Sequence, residues 1–173
     1  MTPFEKLLEL VYTLPVNLKT ACYVVLSDER FAEAPASAGH HPGPHQQRGG
    51  LALHTLEVAE HAIALAGADT QLAERALVAA VFHDYGKIHE YAFMNGTVVK
   101  LPFQRQIGHV VFGFATFLET AKGLLTDEDQ AEIGHALLAH HGRREWGSPV
   151  EPQTRLAYIM HTADMLSSKG VTK

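Results

Sequence analysis

Residues 51–87 read LALHTLEVAEHAIALAGADTQLAERALVAAVFHDYGK and carry the clearest structural signal in the chain. Apolar residues recur at helical spacing over residues 51–65, and this pattern ends at a glycine. Asp69 or Thr70 caps a second helix, which continues to His83 and is closed by another glycine three residues later. Two consecutive amphipathic helices joined by a short turn predict a helical bundle.

The helical pattern continues on both sides of this stretch. A Thr-Pro start, a Thr-x-x-Asp capping pattern and apolar residues at helical spacing mark the other segments. Asn95-Gly96, flanked by β-branched and aromatic residues, indicates a small β-hairpin. Residues 34–50 contain too many glycines and prolines for a regular element and are predicted to form a long loop. The fold class is therefore all-α, with about seven helices and one hairpin; besides the two helices above, helices are predicted at about residues 2–11, 17–26, 105–121, 126–141 and 152–169.

Length and charge limit the function. The chain has 173 residues, which fits one domain. It carries 14 Lys and Arg against 19 Asp and Glu, a formal net charge of −5. Avid, non-specific binding to a nucleic-acid backbone requires clustered cations and is therefore not expected. A small nucleotide or one strand end in a local pocket remains compatible with this charge.

Cysteine usage and hydropathy indicate the compartment. Cys22 is the single cysteine, so neither an internal disulfide nor a cysteine-type zinc site is expected. The first ten residues include Glu5, Lys6 and Glu9, and thus lack the apolar core of a signal peptide. No apolar run approaches the roughly 18 residues that span a bilayer. We expect a cytoplasmic protein without a membrane partner, and we leave a homo-oligomer open.

Histidine is the compositional anomaly, with 12 in the chain against 5 tyrosines. Several lie on or at the ends of predicted amphipathic helices, so their side chains can converge in a bundle. Imidazole and carboxylate without thiolate suit Mn, Fe, Zn, Ni or Co. Other histidines, such as His40, His41 and His45 in the long loop, are equally consistent with solvated side chains. The candidate metal ligands are His54, His83, Asp84, His109, His140, His141 and Asp164.

These residues resemble a known family. His54, His83-Asp84 and Asp164 match the H...HD...D signature of the HD-domain metal-dependent phosphohydrolases. The runs His83-Asp84-Tyr85-Gly86-Lys87 and His140-His141-Gly142-Arg143-Arg144-Glu145-Trp146-Gly147-Ser148-Pro149 are similar to the HD domain of YhaM-type 3′-to-5′ exoribonucleases. The resemblance implies a single HD domain over residues 1–173, with a phosphohydrolase core at 31–170 and N-terminal helices at 1–30 packed on it. Those enzymes carry an N-terminal OB-fold, which we do not expect in this chain.

The resemblance also implies a cofactor of two divalent transition-metal ions, with manganese favoured. One ion would be held by His54, His83, Asp84 and Asp164. The other would be held by His109, by His140 or His141, and by Asp84 as the bridge. Two such ions activate water and stabilise an in-line displacement at phosphorus.

Cations near these ligands are candidates for substrate contacts. Lys87 follows Asp84 by three residues, so its ammonium can reach a phosphate oxygen and stabilise the transition state. Asp84 and Lys87 are thus the candidate catalytic residues. Arg143 and Arg144 follow the double histidine, and either can hold a second phosphate or the strand backbone.

The leading hypothesis is a dinuclear phosphohydrolase that cleaves single-stranded nucleic acid from its 3′ end. The alternative is a hydrolase of a small cyclic or linear nucleotide, which the acidic charge favours. A hypothesis of another class is a metal-binding signalling domain without catalysis. The substrate is accordingly a phosphodiester or a nucleotide, with single-stranded nucleic acid as a possible partner.

Overall fold

A computed structural model describes residues 1–38 and 43–170 and confirms the all-α prediction. Seven of the α-helices in these residues have ten residues or more, the number that the sequence predicts. Short 3₁₀ segments lie at Pro44–Gln46, Tyr85–His89 and Arg144–Trp146. The described elements are α1 (Pro3–Tyr12), α2 (Val16–Leu26), α3 (Glu29–Glu33), α4 (Gly50–Ala66), α5 (Thr70–His83), β1 (Tyr91–Met94), β2 (Thr97–Lys100), α6 (Phe103–Gln106), α7 (His109–Ala121), α8 (Asp127–Ala139) and α9 (Arg155–Ser168).

Helix α4 lies at the centre of the bundle and packs against α1, α5 and α9. Its buried residues surround most of the helix, as a central helix requires. Alanines such as Ala59 and Ala62 on α4 and Ala79 and Ala80 on α5 are buried and let the helices approach closely. The remaining large side chains of the core include Phe31, Phe82 and Phe117. This packing fixes α4, α5 and α9, which carry three of the seven candidate ligands, and a fourth, Asp84, directly follows α5.

Four of the seven longer helices begin at capping residues whose side chains bond the first turn. The side chains of Thr2, Asp69, Thr126 and Thr154 accept hydrogen bonds from backbone N–H groups at the starts of α1, α5, α8 and α9. The last helix therefore begins at Arg155, three residues later than the Pro152 start predicted from sequence. The Thr154 side chain accepts from the N–H of Ala157, the third residue of the helix, and this cap outweighs the preference of Pro152 for the first helical position.

The Asn95-Gly96 hairpin prediction is confirmed. Strands β1 and β2 pair in antiparallel register, with Tyr91 opposite Lys100 and Met94 opposite Thr97. Asn95 and Gly96 both adopt positive φ, at 52° and 81°, as a two-residue type I′ loop requires.

The helix predicted over residues 105–121 is wrong as a single element. Gly108, with φ 79° and ψ 154°, separates the short α6 from α7. The backbone N–H of His109 at the start of α7 donates to Glu90 Oε1 at 2.6 Å. A contact with a residue 19 positions earlier thus sets the start of α7.

Two glycines set how closely α7 approaches α5. A Cβ at Gly86 would lie 2.5 Å from His109 Cα, and a Cβ at Gly113 would lie 2.7 Å from the carbonyl oxygen of Phe82. Both contacts are with backbone, which cannot rotate away. The absent side chains bring His109 next to the end of α5.

Among the helices of residues 1–38 and 43–170, none combines the length and apolar character that crossing a membrane requires. The loop histidines His40 and His41 fall outside the described residues.

Candidate metal centre

Asp84 stands at the centre of the candidate site. It follows the last residue of α5 and leaves helical geometry, with φ −112° and ψ 5°. Neighbouring residues on a regular helix point about 100° apart, so this departure lets His83 and Asp84 face the same place. The Asp84 side chain is 2% exposed, and its two oxygens face two different groups of histidines.

The first group gathers around Asp84 Oδ2. His54 Nε2 from α4 lies 3.2 Å from this oxygen, and His83 Nε2 lies 3.4 Å from it. The Nε2 atoms of the two imidazoles are 3.2 Å apart. Asp164 of α9 completes the group, with Oδ1 3.2 Å from His54 Nε2. Three elements thus converge on one point.

The second group gathers around Asp84 Oδ1. His109 Nε2 at the start of α7 lies 3.4 Å from this oxygen, and His140 Nε2 lies 3.9 Å from it. His141 joins through its own Nε2, which is 3.2 Å from His109 Nε2. Ligand atoms of His109, His140 and His141 lie within 4.8 Å of one another, as do those of His54, His83 and Asp84. The structure therefore brings all seven predicted ligand residues into one cluster.

The imidazoles of His83 and His140 are oriented by the same type of local hydrogen bond. His83 at the end of α5 and His140 just after α8 each donate Nδ1–H to a carbonyl oxygen three residues earlier, Ala80 and Leu137, at 2.7 Å. These carbonyls belong to the last helical turn, where intrahelical partners are missing. The bond assigns one ring proton to Nδ1 and directs Nε2 toward Asp84.

Unpaired buried atoms show that the cluster suits cations. Asp84 Oδ1 and His140 Nε2 are buried and have no hydrogen-bond partner within the described residues. A buried acceptor without a donor costs free energy comparable to a lost hydrogen bond. Carboxylate oxygens and imidazole nitrogens that converge without donors fit a divalent transition metal, as the donor chemistry requires.

Opposite charges keep the aspartates of the cluster ionised. Burial alone would raise the pKa of Asp84, but the Lys87 ammonium and the neighbouring His83 hold it well below its usual range. Burial would likewise raise the pKa of Asp164, but the hydrogen bond with His54 lowers it. The cluster therefore presents two carboxylates to a cation.

The histidines respond to the same surroundings in opposite directions. Burial lowers the pKa of His54, but hydrogen bonds with Asp164 and Asp84 outweigh it and raise the value to about 9. Burial and the neighbouring His141 hold the pKa of His140 well below its usual range, and burial and His109 lower that of His141. His140 and His141 are thus neutral, whereas a cation would displace a proton from His54.

Lys87 contacts the cluster directly. Its Nζ lies 2.5 Å from Asp84 Oδ2, and its side chain is 16% exposed. Burial lowers the pKa of Lys87, but the carboxylates of Asp84 and Asp164 outweigh this effect and raise it. The ammonium is therefore charged and lies at the edge of the site.

Arg143 and Arg144 lie outside the cluster. Both are exposed, and within the described part of the chain no side-chain hydrogen bond or ion pair joins either to the seven candidate ligands; the Arg143 backbone N–H donates to the His141 carbonyl oxygen at 3.1 Å. The Arg143 guanidinium lies over the Trp146 ring, 4.8 Å from its centroid. Trp146 is itself 50% exposed. This pair forms a cationic and aromatic surface two residues beyond His141.

Sequence reasoning missed several residues that hold the imidazoles in place. Glu90 bonds His109, Ser167 bonds His54, and Glu57 bonds Ser167. His45 is part-buried and bonds Glu57, so it is not a solvated loop histidine. The spacing of His54 to Glu57 and of Asp164 to Ser167, three residues in each case, was the available signal, because such pairs share a helix face.

His161, three residues before Asp164, supports the second group from outside. Its Nδ1–H donates to the carbonyl oxygen of His140 at 2.9 Å. Gly142 lies directly against its ring, since a Cβ there would overlap the imidazole. His161 therefore orders the end of α8 rather than facing Asp84.

Comparison with known proteins identifies relatives of the chain. A family model described as the HD domain matches residues 51–169. Proteins named 3′-5′ exoribonuclease YhaM from Bacillus velezensis, Geobacillus sp. and Bacillus subtilis are 33%, 29% and 31% identical over 143, 170 and 144 residues. These alignments cover 82%, 95% and 82% of this chain but 44%, 51% and 45% of the relatives. The chain thus spans about half the length of the curated relatives it matches. No solved structure matches it.

Proposed function

Because the chain belongs to the HD-domain family, we propose that it is a metal-dependent phosphohydrolase with two divalent cations on either side of Asp84. The observation that carries the proposal is the division of the Asp84 oxygens, with Oδ2 facing His54 and His83, and Oδ1 facing His109 and His140. One ion would be held by His54, His83, Asp84 and Asp164. The other would be held by His109, His140, His141 and Asp84.

The cations and the residues that hold them would have separate roles in the reaction. When bound, two divalent cations supply an activated water and neutralise charge on the reacting phosphate. Asp84 would hold both ions, because its two oxygens face the two groups of histidines. The Nδ1 contacts of His83 and His140 hold their rings in place, so little reorganisation is needed during the reaction.

Lys87 is proposed to stabilise the charge that develops on a non-bridging phosphate oxygen. Its ammonium lies beside Asp84 and is only partly buried, so a phosphate that enters the site can meet it. Arg143 and Arg144 are proposed to bind a neighbouring phosphate or the strand backbone, since both side chains are exposed at the surface.

We propose the 3′ end of single-stranded nucleic acid as the substrate, and manganese as one of the metals that an imidazole and carboxylate site suits. The relatives named as 3′-5′ exoribonucleases support the choice of substrate. Arg143 stacked on the exposed Trp146 also supports it, because a cation beside an aromatic ring suits a phosphate next to a base.

A small nucleotide is the second candidate. The observation in its favour is charge: the chain carries a net −5, and Lys87 is the one Lys or Arg among the described residues whose side chain bonds the cluster. One cation suffices for one phosphate, whereas a strand requires several along a groove.

Hydrolysis assays test the proposal in two steps. With Mn²⁺, the protein should cleave a generic aryl phosphodiester, and Asp84→Ala should abolish the activity. A folded, metal-loaded protein without turnover would point instead to a non-catalytic signalling domain.

A substrate panel then separates the two candidates. Single-stranded RNA and DNA, cyclic nucleotides and mononucleotides are compared between roughly 50 and 200 mM salt. Each phosphate contact on a strand adds about 0.7 to the log–log slope, so strand cleavage should fall steeply with salt. Rapid mononucleotide turnover with negligible strand cleavage would favour the second candidate.

A further inference from the structure

Glu90 holds His109 by two bonds from the same oxygen. Its Oε1 accepts from the His109 backbone N–H at 2.6 Å and from His109 Nδ1–H at 2.9 Å. Glu90 is 1% exposed. Its own backbone is fixed on both sides, since its N–H donates to Lys87 O at 3.0 Å and its carbonyl accepts from Leu101 N–H at 2.8 Å. Backbone position, ring orientation and proton location of His109 are thus set by one rigid carboxyl group.

Ser167 and Glu57 hold His54 in a similar way. Ser167 Oγ–H donates to Glu57 Oε2 at 2.7 Å, so Ser167 Oγ is an acceptor for His54 Nδ1–H at 2.8 Å. The other nitrogen of the ring faces Asp164 and Asp84. His54 and Glu57 are three residues apart on α4, and Asp164 and Ser167 are three apart on α9. Residues of α4 and α9 therefore position the His54 ring through contacts at both of its nitrogens.

Hydrogen bonding explains this outer group better than a third cation does. Ligand atoms of His45, His54 and Glu57 lie within 4.8 Å of one another, which by distance alone would suit a metal. However, His45 Nε2–H donates to Glu57 Oε2 at 2.8 Å, and His54 Nδ1 is bonded through Ser167. The atoms are satisfied by one another, whereas Asp84 Oδ1 has no partner within the described residues.

We propose that Glu90 and the Ser167–Glu57 pair are positioning residues, each serving a different one of the two cation positions. Glu90 would govern the position that includes His109, and Ser167–Glu57 the position that includes His54. The inference rests on the proposed function and adds that the two positions can be weakened separately. A carboxylate or hydroxyl behind a ligating imidazole fixes its tautomer and raises its basicity, and its loss lowers metal affinity by about 10- to 100-fold.

Two variants and one conservative control test the proposal. Glu90→Ala and Ser167→Ala each remove one support, while Glu90→Gln keeps an oxygen that can accept from His109. Mn²⁺ binding is measured by calorimetry on the full chain, and melting temperature reports the fold. Nitrogen-15 spectra of the ring report which nitrogen of His109 carries the proton in metal-free protein.

Each single variant should weaken one of two binding events about 10- to 100-fold and leave the other within a factor of about two. Glu90→Ala should also shift the His109 proton away from Nδ1, and Glu90→Gln should restore it. In a double variant that combines Glu90→Ala with Ser167→Ala, the two losses of binding free energy should add, which would confirm that the supports act independently.

Three results would contradict the proposal. Equal weakening of both binding events by each variant would indicate a general structural role, as would a lowered melting temperature with unchanged affinities. An unchanged His109 proton in Glu90→Ala would refute the orienting contact. A wild-type chain that binds no Mn²⁺ would refute the proposed function instead, while the ring spectra would still decide whether Glu90 orients His109.

Discussion

Replacement of Lys87 by methionine is expected to destabilise the metal-free protein much more than the metal-loaded protein. Lys87 Nζ lies 2.5 Å from Asp84 Oδ2, and the Asp84 side chain is 2% exposed. Methionine keeps most of the side-chain volume but removes the charge. Removal of one partner from a buried ion pair costs about 3–5 kcal/mol. His54, 3.2 Å from the same oxygen, retains part of the compensation. We therefore expect a loss of about 2–3 kcal/mol in chelator.

Bound cations should take over the role of the lysine in balancing Asp84, so the loss should shrink to below about 1 kcal/mol in Mn²⁺. Urea unfolding in EDTA and in Mn²⁺ measures both values, with exposed Lys122→Met as the control. Equal destabilisation in the two conditions, or none in EDTA, would refute the reasoning, because the cost would then not come from the charge of Asp84.

The same variant tests the role of Lys87 in catalysis. Loss of one donor to the transition state should lower kcat by about 10²- to 10³-fold, with unchanged metal content. Normal kcat with a raised KM would place the ammonium in substrate binding alone.

Two further predictions concern the scaffold. Gly86→Ala should cost about 1–3 kcal/mol and weaken metal binding, because the new methyl group meets the His109 backbone. Thermal unfolding checks this against the control Gly43→Ala, where a Cβ meets no atom of the described residues within 4 Å. Asp129→Asn should cost about 1 kcal/mol at pH 7, and the difference should vanish as the pH falls through the folded-state pKa of Asp129. Burial raises that pKa, but hydrogen bonds from Thr126 and Arg75 outweigh burial and lower it, so the stabilisation is complete above the unfolded value of about 3.9 and is lost in acid. Urea unfolding across this pH range would contradict the prediction if the difference persisted unchanged at the acid end.

Local patterns in the sequence were sufficient to predict most of the fold. The helices at 50–66 and 70–83 follow from apolar spacing, capping residues and glycines within a few positions of each end. The hairpin follows from Asn95-Gly96, because both residues tolerate positive φ. These elements are specified by neighbours in the chain, which a sequence displays directly.

Features that depend on distant contacts could not be predicted. The break at Gly108 depends on Glu90, which bonds the first residue of α7. The environment of the loop residue His45 is set by its hydrogen bond with Glu57, which lies on α4, three residues after His54. The candidate ligands stand out in the sequence as histidines and aspartates on predicted helices, and the family resemblance supplied their division between two ions. Helical spacing pairs His54 with Glu57 and Asp164 with Ser167, but which of these side chains orients an imidazole depends on tertiary packing.

The most direct test of the account is anomalous X-ray diffraction from crystals of the protein loaded with Mn²⁺. The account predicts two peaks per chain on either side of Asp84, one against His54 and His83 and the other against His109 and His140. A distance of about 3.5–4 Å between the peaks would match a two-metal phosphohydrolase. A single peak, or peaks away from Asp84, would contradict the central claim that this carboxylate bridges two cations.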